Sequence, residues 1–286
     1  MKKLFFIFVL IFSPVIVFAD DCTISCPSES LQIIEKENLA TKFTGINFFT
    51  KKIIEFVIEK ELKDELESKF NADLELFTVG RLKKGEFKTL TLTSTNFRYR
   101  ALSVSDFIAE TVCPYNKIVY QNKKVYYPYE LPFKFSGKIT NNDIKNTIDS
   151  YEFQRTLEKS ALRVNNFTSF RVLEPKITIK NNKLNFEIPI KTFLSKEPMY
   201  FNVSSDIAVD KNEIVLKDTT FSSKSNIINI DLLGGLVNKI NPVAFQNTTI
   251  NSKYCKLNIT NAKIENNQIN VDGMFIINQN YGRVNE

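Results

Sequence analysis

Four cysteines, a lysine-flanked run of tyrosines and a complete absence of histidine set the chemistry open to this chain. Without histidine it can assemble no Ser-His-Asp or Cys-His nucleophile and offers no imidazole to a metal. Ser195-Lys196 has the residue types of a Ser-Lys nucleophile, but neighbouring strand residues point to opposite faces. The carboxylates fall on the charged side of a helix or in turns, where solvation accounts for them. With only eight glycines there is no Gly-rich phosphate loop. These features point away from an enzyme, a cofactor and a metal. A lipid-modifying hydrolase built on carboxylates or Ser-Lys is the catalytic reading that survives.

The cysteines are Cys22, Cys26, Cys113 and Cys255. In an oxidising compartment they allow three full pairings. Closeness in sequence favours Cys22–Cys26, which leaves Cys113–Cys255, both in strand-like surroundings. Zinc is the rival, but Cys22-x3-Cys26 with two isolated cysteines is poor ligand spacing. The other cluster is Tyr126-Tyr127-Pro128-Tyr129, followed by Leu131-Pro132-Phe133 and flanked by Lys123, Lys124, Lys134 and Lys138. Pro128 and Pro132 confine it to a loop or an edge strand. Lys123, Lys124, Tyr126 and Tyr127 have the character of a membrane-interface contact, where amphipathic rings and basic heads both sit well. The bland alternative is an edge strand whose rings cover the core. Four Asn-x-Ser/Thr sequons, at Asn166, Asn202, Asn247 and Asn258, are what so Asn-rich a chain produces by chance.

The elements that position these residues are set by periodicity. Ile46 to Phe70 predicts one helix, about 38 Å long at 1.5 Å per residue. Phe49, Ile53, Ile54, Phe56 and Val57 cover one arc, and Ile58, Leu62, Leu66 and Phe70 continue it as a winding stripe. Such a stripe suits contact with a curved sheet. Glu59–Lys63 and Glu65–Lys69 mark its solvent side. Most of the chain beyond Phe70 alternates with period two: Leu90 and Leu92, Leu102 and Val104, Leu184 to Ile190, Phe201 to Leu216, Cys255 to Ile259, Ile269 to Ile277. Asn181-Asn182, Asp210-Lys211-Asn212 and Asn266-Asn267 read as hairpin turns, where asparagine tolerates positive φ. Two short helices interrupt the strands, one opened by a Thr140–Asp143 capping box and one from Asp231 to Ile240, stopped at Asn241-Pro242.

The N-terminus has an export pattern: Lys2 and Lys3, an apolar run from Leu4 to Phe18, and Ala19 at the cleavage point. Cleavage there leaves 267 of the 286 residues and lowers the formal charge from +6 to +4. No basic-aromatic repeat suggests nucleic acid. The chain divides into a signal over 1–19, an extension over 20–44 and a single domain over 45–286.

Leu82-Lys-Lys-Gly85-Glu-Phe87 running into Leu90-Thr-Leu92 and Asn96-Phe97, Ile139-Thr-Asn-Asn-Asp143-Ile144 with Ile148-Asp-Ser150, Ile240-Asn-Pro242-Val243 and Ile269-Asn-Val-Asp-Gly273 together resemble the LmeA-like phospholipid-binding family. The similarity runs from about Ile46 to Ile277. It implies a fold similar to tubular lipid-binding domains and a protein on the periplasmic or envelope side of a bacterium, serving lipid traffic or envelope upkeep. It offers no catalytic residues.

The expectation is therefore an α+β protein: a long N-terminal helix wrapped by a strongly curved antiparallel sheet, with two short extra helices. Its partner would be a phospholipid or other acyl-chain lipid, with a transient peripheral contact to a membrane. Acyl chains would lie between Phe49, Ile53, Phe56 and Val57 on the helix and Leu90, Leu92, Leu102, Val104, Phe186 and Ile188 on the sheet. The alternative is a structural envelope protein with the same fold and a closed, dry core.

Overall fold

The computed structural model describes residues 24, 26–27, 45–66, 68–99, 101–121, 124–159, 162–164, 168–192, 196–223, 230–243 and 255–279. Residues 1–23, Ser195, Lys123 and most of the extension over 20–44 lie outside them, and with these the export signal, Cys22 and the serine of the Ser195-Lys196 pair.

The fold is mixed α+β, mostly strands, with a curled half-barrel sheet. Helix α1 (Gly45–Leu66) precedes β1 (Asn71–Glu75) and a one-turn α2 (Val79–Leu82). Strands β2 (Glu86–Phe87), β3 (Thr89–Ser94), β4 (Phe97–Tyr99), β5 (Leu102–Val104), β6 (Asp106–Thr111), β7 (Asn116–Lys117), β8 (Val119–Gln121), β9 (Lys124–Tyr126) and β10 (Leu131–Ile139) come next. Helices α3 (Asn141–Ile148) and α4 (Tyr151–Lys159) lead into β11 (Leu162–Val164), β12 (Thr168–Val172), β13 (Lys176–Lys180), β14 (Lys183–Thr192), β15 (Met199–Asp210) and β16 (Glu213–Ser223). Then come α5 (Ile230–Lys239), β17 (Cys255–Glu265) and β18 (Gln268–Ile277). Two antiparallel sheets carry the fold, one in the order β1-β3-β6-β10-β18-β17 and one in the order β11-β12-β14-β15-β16, with β13 also on β14. Pro132, expected in an edge strand or loop, is the second residue of β10, which has neighbours on both sides. Its carbonyl accepts the Val112 N–H at 2.9 Å just past the end of β6, so only the reciprocal bond of that terminal rung is lost.

The three Asn-rich turns adopt the conformation their residues favour. Asn181, Asn182, Lys211, Asn212, Asn266 and Asn267 all have φ between 48° and 64°. Two successive left-handed residues make the type I′ turn, whose twist matches that of the flanking strands. Two of the tips then clasp each other. The Asn182 N–H donates to Asn267 Oδ1 at 3.3 Å, and the Asn267 N–H donates to Asn182 Oδ1 at 3.2 Å. This joins the β13–β14 hairpin of one sheet to the β17–β18 hairpin of the other.

The capping box at the start of α3 forms as read, with Thr140 as N-cap and Asp143 returning its carboxylate to the Thr140 N–H at 2.8 Å. Ile144 and Ile148 turn into the core. The larger core cluster gathers the second sheet, the inner residues of β10, β17 and β18, and the apolar faces of α3, α4 and α5. The smaller one lies under α1, between β1, β3, β6 and β10. Phe97, Phe107 and Phe135 pack against both. They belong to a chain of ring contacts, Phe70–Phe97 at 5.7 Å, Phe97–Phe107 at 4.7 Å, Phe107–Phe135 at 6.0 Å, Phe135–Phe275 at 6.2 Å and Phe275–Phe133 at 4.7 Å. Gly273 makes this possible: a Cβ there would lie 2.8 Å from the Phe135 ring.

α1 stops at Leu66, four residues before the expected end. Ser68 leaves the helix to bind the β4 backbone, accepting from the Arg98 N–H at 2.7 Å and donating to its carbonyl at 3.1 Å. Phe70 thereby becomes a core residue beside Phe97. The disulfide also differs from expectation: Cys26 bonds to Cys113, across 87 residues, in place of Cys22–Cys26 and Cys113–Cys255. Cys255 opens β17 opposite Ile277. Sequence proximity misleads because the loop after β6 is folded back on itself. Asn116 Nδ2 donates to the Cys113 carbonyl at 2.8 Å and also to that of Lys88, presenting Cys113 to the incoming N-terminal segment.

Proteolysis without reductant should yield a linked Cys26–Cys113 peptide. Replacing both cysteines by serine should lower unfolding free energy by about 3–5 kcal/mol, the range for a loop of this length. Asn182→Gly and Asn267→Gly, which keep the left-handed turns, should show a coupling of about 0.5–1 kcal/mol in a double-mutant cycle of urea unfolding.

Candidate functional site

The strongest candidate is built on how α1 meets the sheet. β1 pairs with β3 on one side only, so the Ala72 and Leu74 N–H groups point off the sheet edge. Two glutamates of α1 accept them: Leu74 N–H donates to Glu55 Oε1 at 3.0 Å, and Ala72 N–H to Glu59 Oε1 at 2.9 Å. The match is geometric. Four helical residues rise about 6 Å and two strand residues about 6.7 Å, so carboxylates at i and i+4 meet alternate amides of an antiparallel edge.

Charge reinforces this clamp. Glu55 is 2% exposed and takes Lys52 Nζ at 2.8 Å and Lys51 Nζ at 3.4 Å. Lys51 also reaches Asp73 at 2.7 Å. Burial pushes the Glu55 carboxyl up, but the hydrogen bonds from Lys52 and the Leu74 N–H, with the charges of both lysines, outweigh it and hold it below its ordinary range. The hydrogen bond from Lys51 lowers Asp73 likewise, and the same bond raises Lys51.

Because the acidic side of α1 is turned to β1, its apolar arc is divided. Ile54, Ile58 and Leu62 pack on the smaller core. Ile53, Phe56 and Val57 face outward, 63%, 64% and 43% exposed. Lys52, Lys60 and Lys63 share that outward side. Among the described side chains, the result is an exposed apolar stripe with lysines along one flank.

The predicted lipid-lining residues are therefore not brought together. Ile53, Phe56 and Val57 face away from the sheet, because the glutamate clamp sets the rotation of the helix; the Phe49 side chain lies outside the described ones. Leu90 and Leu92 are buried beneath α1 in the smaller core. Val104, Phe186 and Ile188 are buried in the larger one, with Leu102 packed against it. Among the described residues, phenylalanine rings pack between the smaller and the larger core there. A groove of about 410 Å³ does exist, but on the opposite, polar face of the first sheet. Thr93, Ile108, Ser136 and Asp272 line it, with the Asp106–Lys138 ion pair of 3.3 Å at its wall, and none of the predicted residues borders it.

Of the predicted membrane contact, Tyr127 is half-buried and packs on the smaller core. Lys124 and Tyr126 lie in β9, which pairs with β8 in a separate hairpin. The exposed ring here is Tyr129. A second polar cluster surrounds buried Asp143, which accepts from Ser103 Oγ at 3.2 Å and Thr140 Oγ1 at 2.6 Å besides the cap bond, and also from Ser105 Oγ. These bonds tie β5 to α3 and use both carboxylate oxygens, which is a structural role. Among the described residues no group of three Cys, Asp or Glu could hold a metal, and no helix is long and apolar enough to cross a membrane. Sequence reasoning missed Glu55 and put Glu59 on the solvent side of the helix, where the structure turns it to the Ala72 N–H. Their i, i+4 spacing was the available signal.

Comparison with family models, with characterised proteins and with solved structures returned no match.

Glu55→Ala should destabilise the fold by about 1–3 kcal/mol, the cost of a buried donor left unpaired, and should speed amide exchange at Leu74. Glu55 and Asp73 have lowered folded values, so their contribution is complete above the ordinary carboxylate values, 4.5 and 3.8, and is lost as pH falls through the folded ones. Lys51 is raised, so its share persists below 10.5 and is lost as pH rises beyond it. An acid titration of Leu74 exchange should show protection falling below about pH 4.5, with a flatter profile in Glu55→Gln.

Proposed function

We propose that this chain is a non-catalytic phospholipid-binding protein of the cell envelope that acts at a membrane surface, docking through the outward face of α1. The exposed Ile53, Phe56 and Val57, bordered by Lys52 and Lys60, are the observation that carries this reading. A helix with large apolar side chains and lysines toward one side suits the boundary between head groups and acyl chains. Transferring those side chains from water to that boundary gains roughly 25 cal/mol for each Å² removed from water. Each lysine near an anionic surface adds about 1 kcal/mol.

The export pattern over residues 1–19 and the resemblance to a phospholipid-binding family support the same direction. So does the curled half-barrel sheet with a helix along its open edge. Acyl chains would meet the protein at the outer side of α1, since its inner side is occupied by the core.

Purified protein should co-sediment with vesicles of equal parts phosphatidylglycerol and phosphatidylcholine, and more weakly with phosphatidylcholine alone. Phe56→Asp should lower partitioning by on the order of tenfold to a hundredfold, and Lys60→Gln with Lys63→Gln by about tenfold or more. Both leave thermal unfolding nearly unchanged, because the side chains are exposed. Equal binding of wild type and Phe56→Asp, or no binding of either, would refute the reading.

A further inference from the structure

The strand ends give the first sheet two unlike poles. At one pole Glu75 pairs with Thr89, Thr111 lies beside Phe133, and Leu131 opposes Ile277. At the other, Ile139 opposes Ile269 and the Asn266-Asn267 turn closes β17–β18. That second pole carries the asparagine turns, with Lys180 and Lys183 beside one and the Lys263–Glu265 pair beside the other. The first is different. The Cys26–Cys113 disulfide sits there, with Ile24 two residues before one cysteine and Val112 next to the other, both exposed. Tyr129 is exposed on the approach to β10.

Two lysines stand at this pole, on the turn before β2. Lys83 and Lys84 are exposed, and Gly85 closes their turn. Gly85 has φ +77° and its carbonyl accepts the Ile118 N–H at 2.9 Å; a Cβ there would collide with the Ile118 carbonyl oxygen. The acids of this pole are largely spoken for. Glu86 pairs with Arg81 at 3.5 Å and Lys117 at 3.4 Å, and Glu75 with Lys88 at 3.1 Å, while Glu130 is half-buried. Lys51 near the start of α1 pairs with Asp73 close to the same end of β1, so the outward apolar stripe runs toward this tip.

We infer that the disulfide pole is a second lipid contact, continuous with α1, and that the protein meets an anionic phospholipid surface tip-first with Ile24, Val112 and Tyr129 at the interface and Lys83 and Lys84 against the head groups. This rests on the surface-docking reading above and adds an orientation to it. Tyrosine belongs at that depth because its ring is apolar and its hydroxyl wet. Lysines on a fixed turn favour anionic head groups.

The chain contains no tryptophan, so each introduced one reports alone. Tyr129→Trp and Val112→Trp should shift to shorter emission wavelength on phosphatidylglycerol-containing vesicles and be quenched by lipids brominated on the acyl chain. Tyr151→Trp, exposed on α4 beyond the opposite pole, should do neither. Lys83→Glu with Lys84→Glu should lower partitioning about tenfold or more. Quenching of Phe56→Trp without quenching of either tip tryptophan would overturn the tip and leave the α1 surface standing. No emission change in any of them, with no co-sedimentation, would overturn both. If Tyr129→Trp fails to fold, Val112→Trp decides alone.

Discussion

Two backbone N–H groups on an open strand edge govern the arrangement of this protein's N-terminal half. A sheet edge presents donors that water or another chain will otherwise take. Here Glu55 and Glu59 take them, and that single choice fixes the rotation of α1. With the carboxylates turned to β1, Ile54, Ile58 and Leu62 must lie over the core, and Ile53, Phe56 and Val57 must face out. The apolar stripe is exposed because the edge has to be satisfied. Lys51 and Lys52 obey the same logic, neutralising a carboxylate that the clamp buries.

The curled sheet raises the question of what fills its concave side. Rings do. The contacts from Phe70 through Phe97, Phe107 and Phe135 to Phe275 and Phe133 run unbroken through the smaller core, and Phe97, Phe107 and Phe135 also pack on the larger one. Phenylalanine suits this place, since a broad flat side chain spans the gap between a curved sheet and its covering elements with few atoms and no polar group to satisfy. The abundance of phenylalanine, 25 residues, thus has a packing explanation in the residues seen, and affinity for lipid has to be argued from the surface.

What could be read from the sequence was local. The Asn-Asn turns and the Thr140–Asp143 cap were legible because each is decided by residues within four positions of one another. The strands from Leu184 to Leu216 and from Ile269 to Ile277 were legible because alternation is a local pattern with a global meaning. The predicted site was not, and the reason is specific. Whether Phe56 faces in or out depends on Glu55 finding Leu74, 19 residues away. Which cysteine meets Cys113 depends on Asn116 folding a loop and on a strand order that joins β6 to β10. A helical stripe shows that one side is apolar. It does not say which of two packable arcs the tertiary structure will use.

The reciprocal bonds between Asn182 and Asn267 have a consequence for assembly. Side chains in a strand alternate between faces, so a slip of one position in either hairpin would carry its apolar set to the wrong side. The same slip would move one asparagine off the tip, and the tips would no longer match. The pair therefore works as a proofreading contact: two hairpins, some 85 residues apart in the chain, can close against each other only when both have formed in step.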